Sequence, residues 1–420
     1  MNDQYPNYRR NFVSLVGDWI FFVTGMAFIS YTSVIPSFVN QLTDFAPLIG
    51  LATTIPNGAW LLPQLLAANY VGSKQKKKPW VITLSLIGRP VYFLAALIMF
   101  VAGVRYPWLL LSVFFLSEIV FSMTDGLSMV AWFDIMGKAI PSRRRGRFYT
   151  TAQVLTGLLS MVAGAAVARV LGPGGPPFPQ NYALLFGSCS ALLMVSLAFF
   201  TRVKEPIQQA ELEREPWGAY LPRLLRLYRE DRQFRLINGV RMLSGIGGLA
   251  LPFYVVHATD VLDVGDASIG LFVSAQVLGG LVTSLAMGYL NERSGSKIVA
   301  QLTALQSLIV PLIALGIHYF SPPGAVAAYA YALAFFSIGG IFSGYIQGFM
   351  NFVLDIAPPT QRPAYVGLFN TLGGTVIFVA PLLGGWVLQS TSYPILFSSA
   401  ALGTFAGLVL SLRLAQPLRR

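Results

Sequence analysis

Twelve apolar runs, each long enough to cross a lipid bilayer, dominate this 420-residue sequence. A spanning helix needs about 20 mostly apolar residues to cross a hydrocarbon core about 30 Å thick. The runs lie at Asn11–Phe38, Ala46–Tyr70, Trp80–Gly103, Trp108–Phe133, Arg147–Leu171, Tyr182–Thr201, Phe234–His257, Ala267–Leu290, Ile298–Phe320, Ala325–Asn351, Ala364–Gln389 and Tyr393–Leu412. The expected fold is therefore an all-α membrane protein of twelve transmembrane helices. Hydrophobic residues make up 55% of the chain and charged residues 11%, against about 25% charged in soluble domains. That surplus cannot be hidden in one water-soluble core, which excludes an ordinary soluble enzyme.

The placement of Lys and Arg orients the helices. Of 29 such residues, 25 fall in the N-terminal tail (Arg9, Arg10), the even-numbered gaps and the C-terminus. The second gap holds Lys74, Lys76, Lys77 and Lys78, and the fourth holds Lys138, Arg143, Arg144, Arg145 and Arg147. The positive-inside rule then predicts both termini in the cytoplasm. A net charge of +12 arranged in short clusters between apolar runs argues for a membrane and against nucleic acid. The polar first ten residues and the length of the first run do not fit a cleavable signal peptide. These features suit a bacterial inner membrane protein, expected to be a monomer in the lipid bilayer.

The longest gap, Arg202–Gln233, divides the chain into an N-terminal six-helix half (1–201), a cytoplasmic linker (202–233) and a C-terminal half (234–420). Acids and bases fill the linker, and Tyr220–Tyr228 reads as a short amphipathic helix. Pro141-Ser-Arg-Arg-Arg145 after the fourth run matches Pro358-Pro-Thr-Gln-Arg362 after the tenth. A two-half repeat around a midplane site is the design of many secondary transporters.

At this point the sequence resembles the major facilitator superfamily. The superfamily's loop signature, roughly G-x-L-x-D-R-x-G-R-K, matches Gly288-Tyr-Leu-Asn-Glu292-Arg293-Ser-Gly295-Ser-Lys297 after the eighth run. After the second run, Asn69–Lys78 keeps the basic cluster and loses the acid. The resemblance implies a cytoplasmic latch of charge pairs, with Asp134 able to receive one of Lys74–Lys78. The stretch Asp134–Arg147, containing Arg145 and Gly146, is similar to the superfamily's loop between helices four and five. Two motifs fail. The R-x-x-Q-G of proton-coupled families is Ser122-Met-Thr-Asp125-Gly126 here, and the G-P-x-x-G-G of drug antiporters has no counterpart in helix five.

Ionisable residues inside spans are costly, so each is a candidate for function. Asp18, Arg89, Glu118, Asp125 and Arg241 qualify. The resemblance implies that helices one, four, seven and ten line a central cavity, which places all of these but Arg89 on cavity helices. Glu118, Ser122, Asp125, Met129 and Trp132 step by four, three, four and three, so they stay within about 40° of one line on a helix. Asn238 and Arg241 on helix seven, and Ser343 and Gln347 on helix ten, complete the expected lining. Glu118 falls near the midplane, with Asp18, Asp125 and Arg241 roughly 7–10 Å nearer the cytoplasm. A carboxyl group in a low-dielectric setting can carry a proton, and Glu118, the deepest, is the first candidate. Two acids and Arg241 at one depth could form a charge cluster. A static Arg89–Glu118 or Arg89–Asp125 pair is the structural alternative, and Asp18 could simply be wetted from the cytoplasm.

The single cysteine, Cys189, excludes a disulfide framework or multi-thiolate site, and His257 and His318 lie too far apart in sequence to suggest a metal site. No phosphate-binding loop or dinucleotide fingerprint occurs, which removes ATP as a direct energy source. No cofactor is expected. The expected function is secondary transport of a small organic solute by alternating access, coupled to protons, with export of drugs or metabolites favoured over nutrient uptake. The acids lean toward a cationic or amphipathic solute. A lipid-handling or receptor-like protein of the same fold is the non-transporting alternative.

Overall fold

The structure is a computed structural model that describes residues 7–56, 59–60, 76–206, 225–358 and 362–417. Among them there are helices and no strand. We number the apolar helices α1 (Tyr8–Phe28), α2 (Ala46–Pro56), α3 (Lys78–Arg105), α4 (Pro107–Ala139), α5 (Ser142–Leu171) and α6 (Gln180–Thr201). The series continues with α7 (Arg232–Val261), α8 (Ser268–Ser294), α9 (Ser296–Phe320), α10 (Gly324–Ile356), α11 (Arg362–Ser390) and α12 (Tyr393–Ser411). Eleven described helices are long and apolar enough to cross a membrane, and α2 is the shorter one. The rest of the second predicted run, with Asn57, Pro63, Gln64 and Lys74, lies outside the described residues.

The chain forms two compact units. One comprises Met1–Thr43, Ile55–Glu213 and Asp266–Ser274; the other comprises Asp44–Thr54, Arg214–Gly265 and Ala275–Arg420. In the first unit α1 packs on α5 and α6, and α3 packs on α4 and α6. In the second, α7 packs on α11 and α12, and α9 packs on α10 and α12. The two packing patterns correspond helix for helix, which is the internal repeat expressed as structure. Large side chains such as Val101, Leu116, Phe320 and Leu402 are exposed on these helices. In water such a surface would aggregate, and in lipid it is the solvent-facing side.

Local sequence explains the element ends. Prolines occupy the first turns of α3, α4 and α12, where the missing N–H costs nothing. Asp231 accepts a hydrogen bond from the Phe234 amide at 2.9 Å and so caps α7. Pro90 interrupts α3 directly after Arg89, and Ser190 Oγ donates to the Arg89 carbonyl at 2.8 Å. The helix α7 passes through a 3₁₀ turn at Ile246–Leu249 and ends in a π turn at His257–Val261, and α10 contains a π turn at Tyr345–Met350.

Two expectations, both at the end of α4, are corrected. The fourth run ends at Phe133, but α4 continues to Ala139. Hydropathy falls where the bilayer ends, and the backbone ladder does not. The expected α4–α5 loop is accordingly almost entirely helix, with Ile140 and Pro141 as the connection. In the linker, residues 225–230 are helical and Leu227 packs with Phe234 and Tyr365. Residues 220–224 of the predicted amphipathic helix lie outside the described residues.

Candidate functional site

A small pocket of about 90 Å³ opens in the first unit, walled by Asp18, Phe22, Arg89, Asp125, Met129, Trp132 and their neighbours. It is assembled by α1, α3 and α4. The interruption at Pro90 leaves Arg89 at a helix end, and its side chain is buried against α6 and α1. Arg89 Nη1 donates to the Leu193 carbonyl at 2.8 Å and to Ser196 Oγ at 3.0 Å. Its Nη2 lies 3.7 Å from Asp18 Oδ1, and the guanidinium carbon stands 5.5 Å from the Phe22 ring centre. Asp18 also accepts from Ser196 Oγ at 2.5 Å and from Trp132 Nε1 at 2.6 Å. It is 3% exposed. Asp18 is therefore neither wetted from the cytoplasm nor unpartnered, and Arg89 pairs with Asp18 and with neither acid of α4.

Asp125 accepts from Trp60 Nε1 at 2.9 Å and is half-buried on the cavity wall. Gly126 makes this contact possible, because a Cβ there would collide with the Trp60 carbonyl oxygen. Glu118 lies outside the cavity lining. It is 0% exposed, accepts from the Tyr92 hydroxyl at 3.1 Å, and its Oε2 has no partner among the described residues. The polar stripe of α4 thus divides. Asp125, Met129 and Trp132 face the cavity, while Glu118 and the buried Ser122 do not line it. A stripe about 40° wide crosses two environments over its length.

In the second unit Arg241 is 8% exposed. Its Nη1 donates to the Phe369 carbonyl at 2.6 Å and reaches Asn370 Oδ1 at 3.5 Å. The guanidinium carbon lies 4.5 Å from the Tyr345 ring centre and 4.4 Å from that of Phe369. Gly373 supplies the space, since a Cβ there would run into the guanidinium. Asn238 donates to the Phe234 carbonyl of its own helix at 2.8 Å. Ser343 Oγ donates to the Gly280 carbonyl at 2.7 Å, and Gln347 Nε2 donates to Ser284 Oγ at 2.7 Å. Both side chains expected to line a cavity from α10 therefore tie α10 to α8.

Among the loop residues, Lys77 Nζ lies 2.9 Å from Asp134 Oδ2 and Lys138 Nζ 2.6 Å from it. Glu205 accepts from the Lys77 and Lys78 amides at 2.7 and 2.9 Å, an anchor in the linker that the sequence did not signal. Gly288 packs beside Gln347, Arg293 lies over the Tyr289 ring at 4.5 Å, and Gly295 forms the turn before α9. Glu292 is exposed and Lys297 half-buried. The acid that meets this loop is Asp355, which accepts from Ser296 Oγ at 2.5 Å. The side chains of Arg145 and Arg362, and the surroundings of Gly146, lie outside the described part of the structure.

Sequence distance hid one further cluster. His257 Nε2 and His318 Nδ1 lie 2.8 Å apart, and the Tyr331 hydroxyl lies 2.7 Å from His257 Nδ1. The two histidines of the chain, read only as too far apart in sequence to suggest a metal site, form one hydrogen-bonded pair. Among the described residues no three His, Cys, Asp or Glu side chains converge on a metal position.

Comparison with known proteins is consistent with this geometry. Residues 238–420 match the family model of the Major Facilitator Superfamily. No curated protein sequence matches at a significant level. A crystal structure of a mutant of the nucleoside transporter NupG superposes with a TM-score of 0.71 at 13% identity, covering 97% of this chain and 100% of that one. A bacterial homologue of the iron transporter ferroportin gives 0.68 at 14% identity, covering 97% and 98%. A bacterial homologue of the human lysosomal transporter Spinster gives 0.63 at 13% identity, covering 98% and 95%.

Proposed function

From a chain with the transporter fold of the major facilitator superfamily, we infer a secondary active transporter of a small organic solute that works by alternating access. One observation carries this reading. The first unit holds an open pocket whose wall carries Asp125 beside an internally compensated Asp18–Arg89 pair. Charge inside a span is retained where it serves a pathway or a proton relay. The pair is neutral as a whole, so Asp125 is the carboxylate left to exchange a proton with whatever enters. Glu118, outside the cavity lining and with no partner for Oε2 among the described residues, is the second proton-holding position.

In this reading the halves 1–201 and 234–420 are the two rocking bodies, joined by the linker 202–233. Lys77, Lys138 and Asp134 form the cytoplasmic latch of the N-terminal half. Breaking such pairs on one side while others form is how a charge cluster biases two conformations. The protein is a monomer in the inner membrane of a bacterium with both termini in the cytoplasm. Export in exchange for protons is favoured over uptake, because the cavity acid can take a proton as solute leaves it.

Proteoliposomes carrying an internal pH dye test this. Wild-type protein is expected to move protons when a transported solute is added, and Asp125→Asn to abolish that coupling while leaving the protein folded. Solute-driven proton movement that is undiminished in Asp125→Asn and in Glu118→Gln would remove both acids from the mechanism. Sided vesicles separate export from uptake.

A further inference from the structure

Arg241 is a buried cation with no described counter-charge. Asp18–Arg89, Lys77–Asp134 and Lys138–Asp134 are ion pairs of the described residues, and none of these involves Arg241. Its hydrogen bonds run from Nη1 to a backbone carbonyl and an amide oxygen. Its Nε is buried and donates to nothing among the described residues. A guanidinium removed from water without an anion is costly, and two aromatic faces offset only part of that cost.

The surroundings of Arg241 are incomplete in the same way. Asn238 Oδ1 and Ser244 Oγ, three residues to either side, are also buried without a partner among the described residues. So one stretch of α7 holds three unfinished polar groups within two turns. The backbone around it departs from a regular helix. The 3₁₀ turn at Ile246–Leu249 follows directly, and Tyr345, which touches the guanidinium, opens the π turn of α10. Irregular turns of this kind are frequent where a helix serves a site.

We propose that Arg241 receives the oxyanion of the transported solute, an organic carboxylate or phosphate, with Asn370 and Tyr345 positioning the guanidinium. Tyr345 donates its hydroxyl hydrogen to Asn370 Oδ1, and Asn370 Oδ1 in turn faces Arg241 Nη1. This rests on the transport reading and reverses the cationic preference that a count of acids suggests. In the first unit Asp18 is compensated by Arg89 and Asp125 accepts from Trp60, whereas Arg241 is a buried cation that no described acid meets.

The test uses the purified full chain and four probes: benzoate, inorganic phosphate, benzyl alcohol and benzylamine. A ligand that binds the native state raises the melting temperature by mass action. Benzoate or phosphate is expected to protect wild-type protein, and the alcohol and amine are not. Arg241→Gln is expected to weaken oxyanion binding by at least about tenfold, and Arg241→Lys to retain part of it because charge survives and the planar fork does not. Should Arg241→Gln fail to fold, Gly373→Ala displaces the guanidinium sterically and replaces it as the test.

Protection by benzoate alone or by phosphate alone supports the proposal and separates the two oxyanions. No oxyanion protection of wild-type protein, or equal protection of the variants, overturns it. Proton flux driven by benzylamine without oxyanion protection overturns this inference and leaves the transport reading standing. Oxyanion protection lost in Arg241→Gln, with no flux of any probe, keeps the site and removes the transport reading.

Discussion

Ser196 joins Asp18 to Arg89: its hydroxyl accepts from Arg89 Nη1 at 3.0 Å and donates to Asp18 Oδ1 at 2.5 Å, while the two charges face each other at 3.7 Å. The arrangement ties α1, α3 and α6 together at the wall of the cavity. Each ion also has a further partner, Trp132 for the acid and the Leu193 carbonyl for the base. Burial of such a pair is tolerable only when the remaining donors and acceptors are filled in this way.

Removing one ion should therefore cost far more than removing both. Asp18→Ala or Arg89→Ala is expected to destabilise the protein by about 3–5 kcal/mol, because each leaves an uncompensated buried charge. The double variant should be more stable than the sum of the two losses. Detergent-solubilised protein followed by thermal unfolding gives the three values, and simple additivity would show that the ions do not act as a pair.

Glu118 makes a different demand. It is fully buried and, among the described residues, has one hydrogen bond, from Tyr92, and no partner for Oε2. Glu118→Gln keeps the shape and the acceptor and adds donors where the carboxyl oxygen stands. If Glu118 holds a proton in the folded protein, the change should shift stability by less than about 1 kcal/mol, about the value of one net hydrogen bond. A loss several times larger would show that Glu118 is ionised there. Tyr92→Phe removes the hydrogen bond itself and should cost about 1 kcal/mol.

The all-helical class and the number of apolar spans were legible because hydropathy reports the bilayer directly. The residues that build the site were legible as types, since a charge in a span is conspicuous. Their partners were not. Depth alone made Glu118 and Asp125 the natural partners of Arg89, yet Asp18 takes it. The choice depends on the break at Pro90 and on Ser196, an ordinary serine in an apolar run. The His257–His318 contact joins residues 61 positions apart, and no periodicity links α7 to α9. Gly126 carried no signal either, as the need for a hydrogen at its Cα comes from the Trp60 backbone.

That last contact makes a steric prediction. Gly126→Ala drives a methyl carbon into the Trp60 carbonyl oxygen, so the segment must move and the Trp60–Asp125 hydrogen bond must lengthen. Overpacking of this kind costs about 1–3 kcal/mol. Gly187→Ala is the control, because its nearest neighbour would be the Ala96 Cβ at 3.8 Å, an ordinary contact. A reduced melting temperature for the first variant and an unchanged one for the second is the expected result. Solute-driven proton flux should fall in Gly126→Ala if Asp125 couples it.

Glu205 offers a test of the cytoplasmic side. Its carboxylate accepts from two amides at the start of α3, where free N–H groups and the helix dipole favour an anion. Lys78 Nζ meanwhile donates to the Thr201 and Val203 carbonyls at the end of α6 and just beyond it. The linker's first residues are thereby fastened to the start of one span and the end of another. Glu205→Gln keeps one acceptor and removes the charge, and it should cost about 0.5–1 kcal/mol. Glu205→Ala removes both acceptors and should cost about 1–2 kcal/mol. The expected readout is faster proteolysis of the linker, roughly in step with the population of the opened state. Unchanged cleavage in both variants would mean that the Glu205 contacts do not hold the linker.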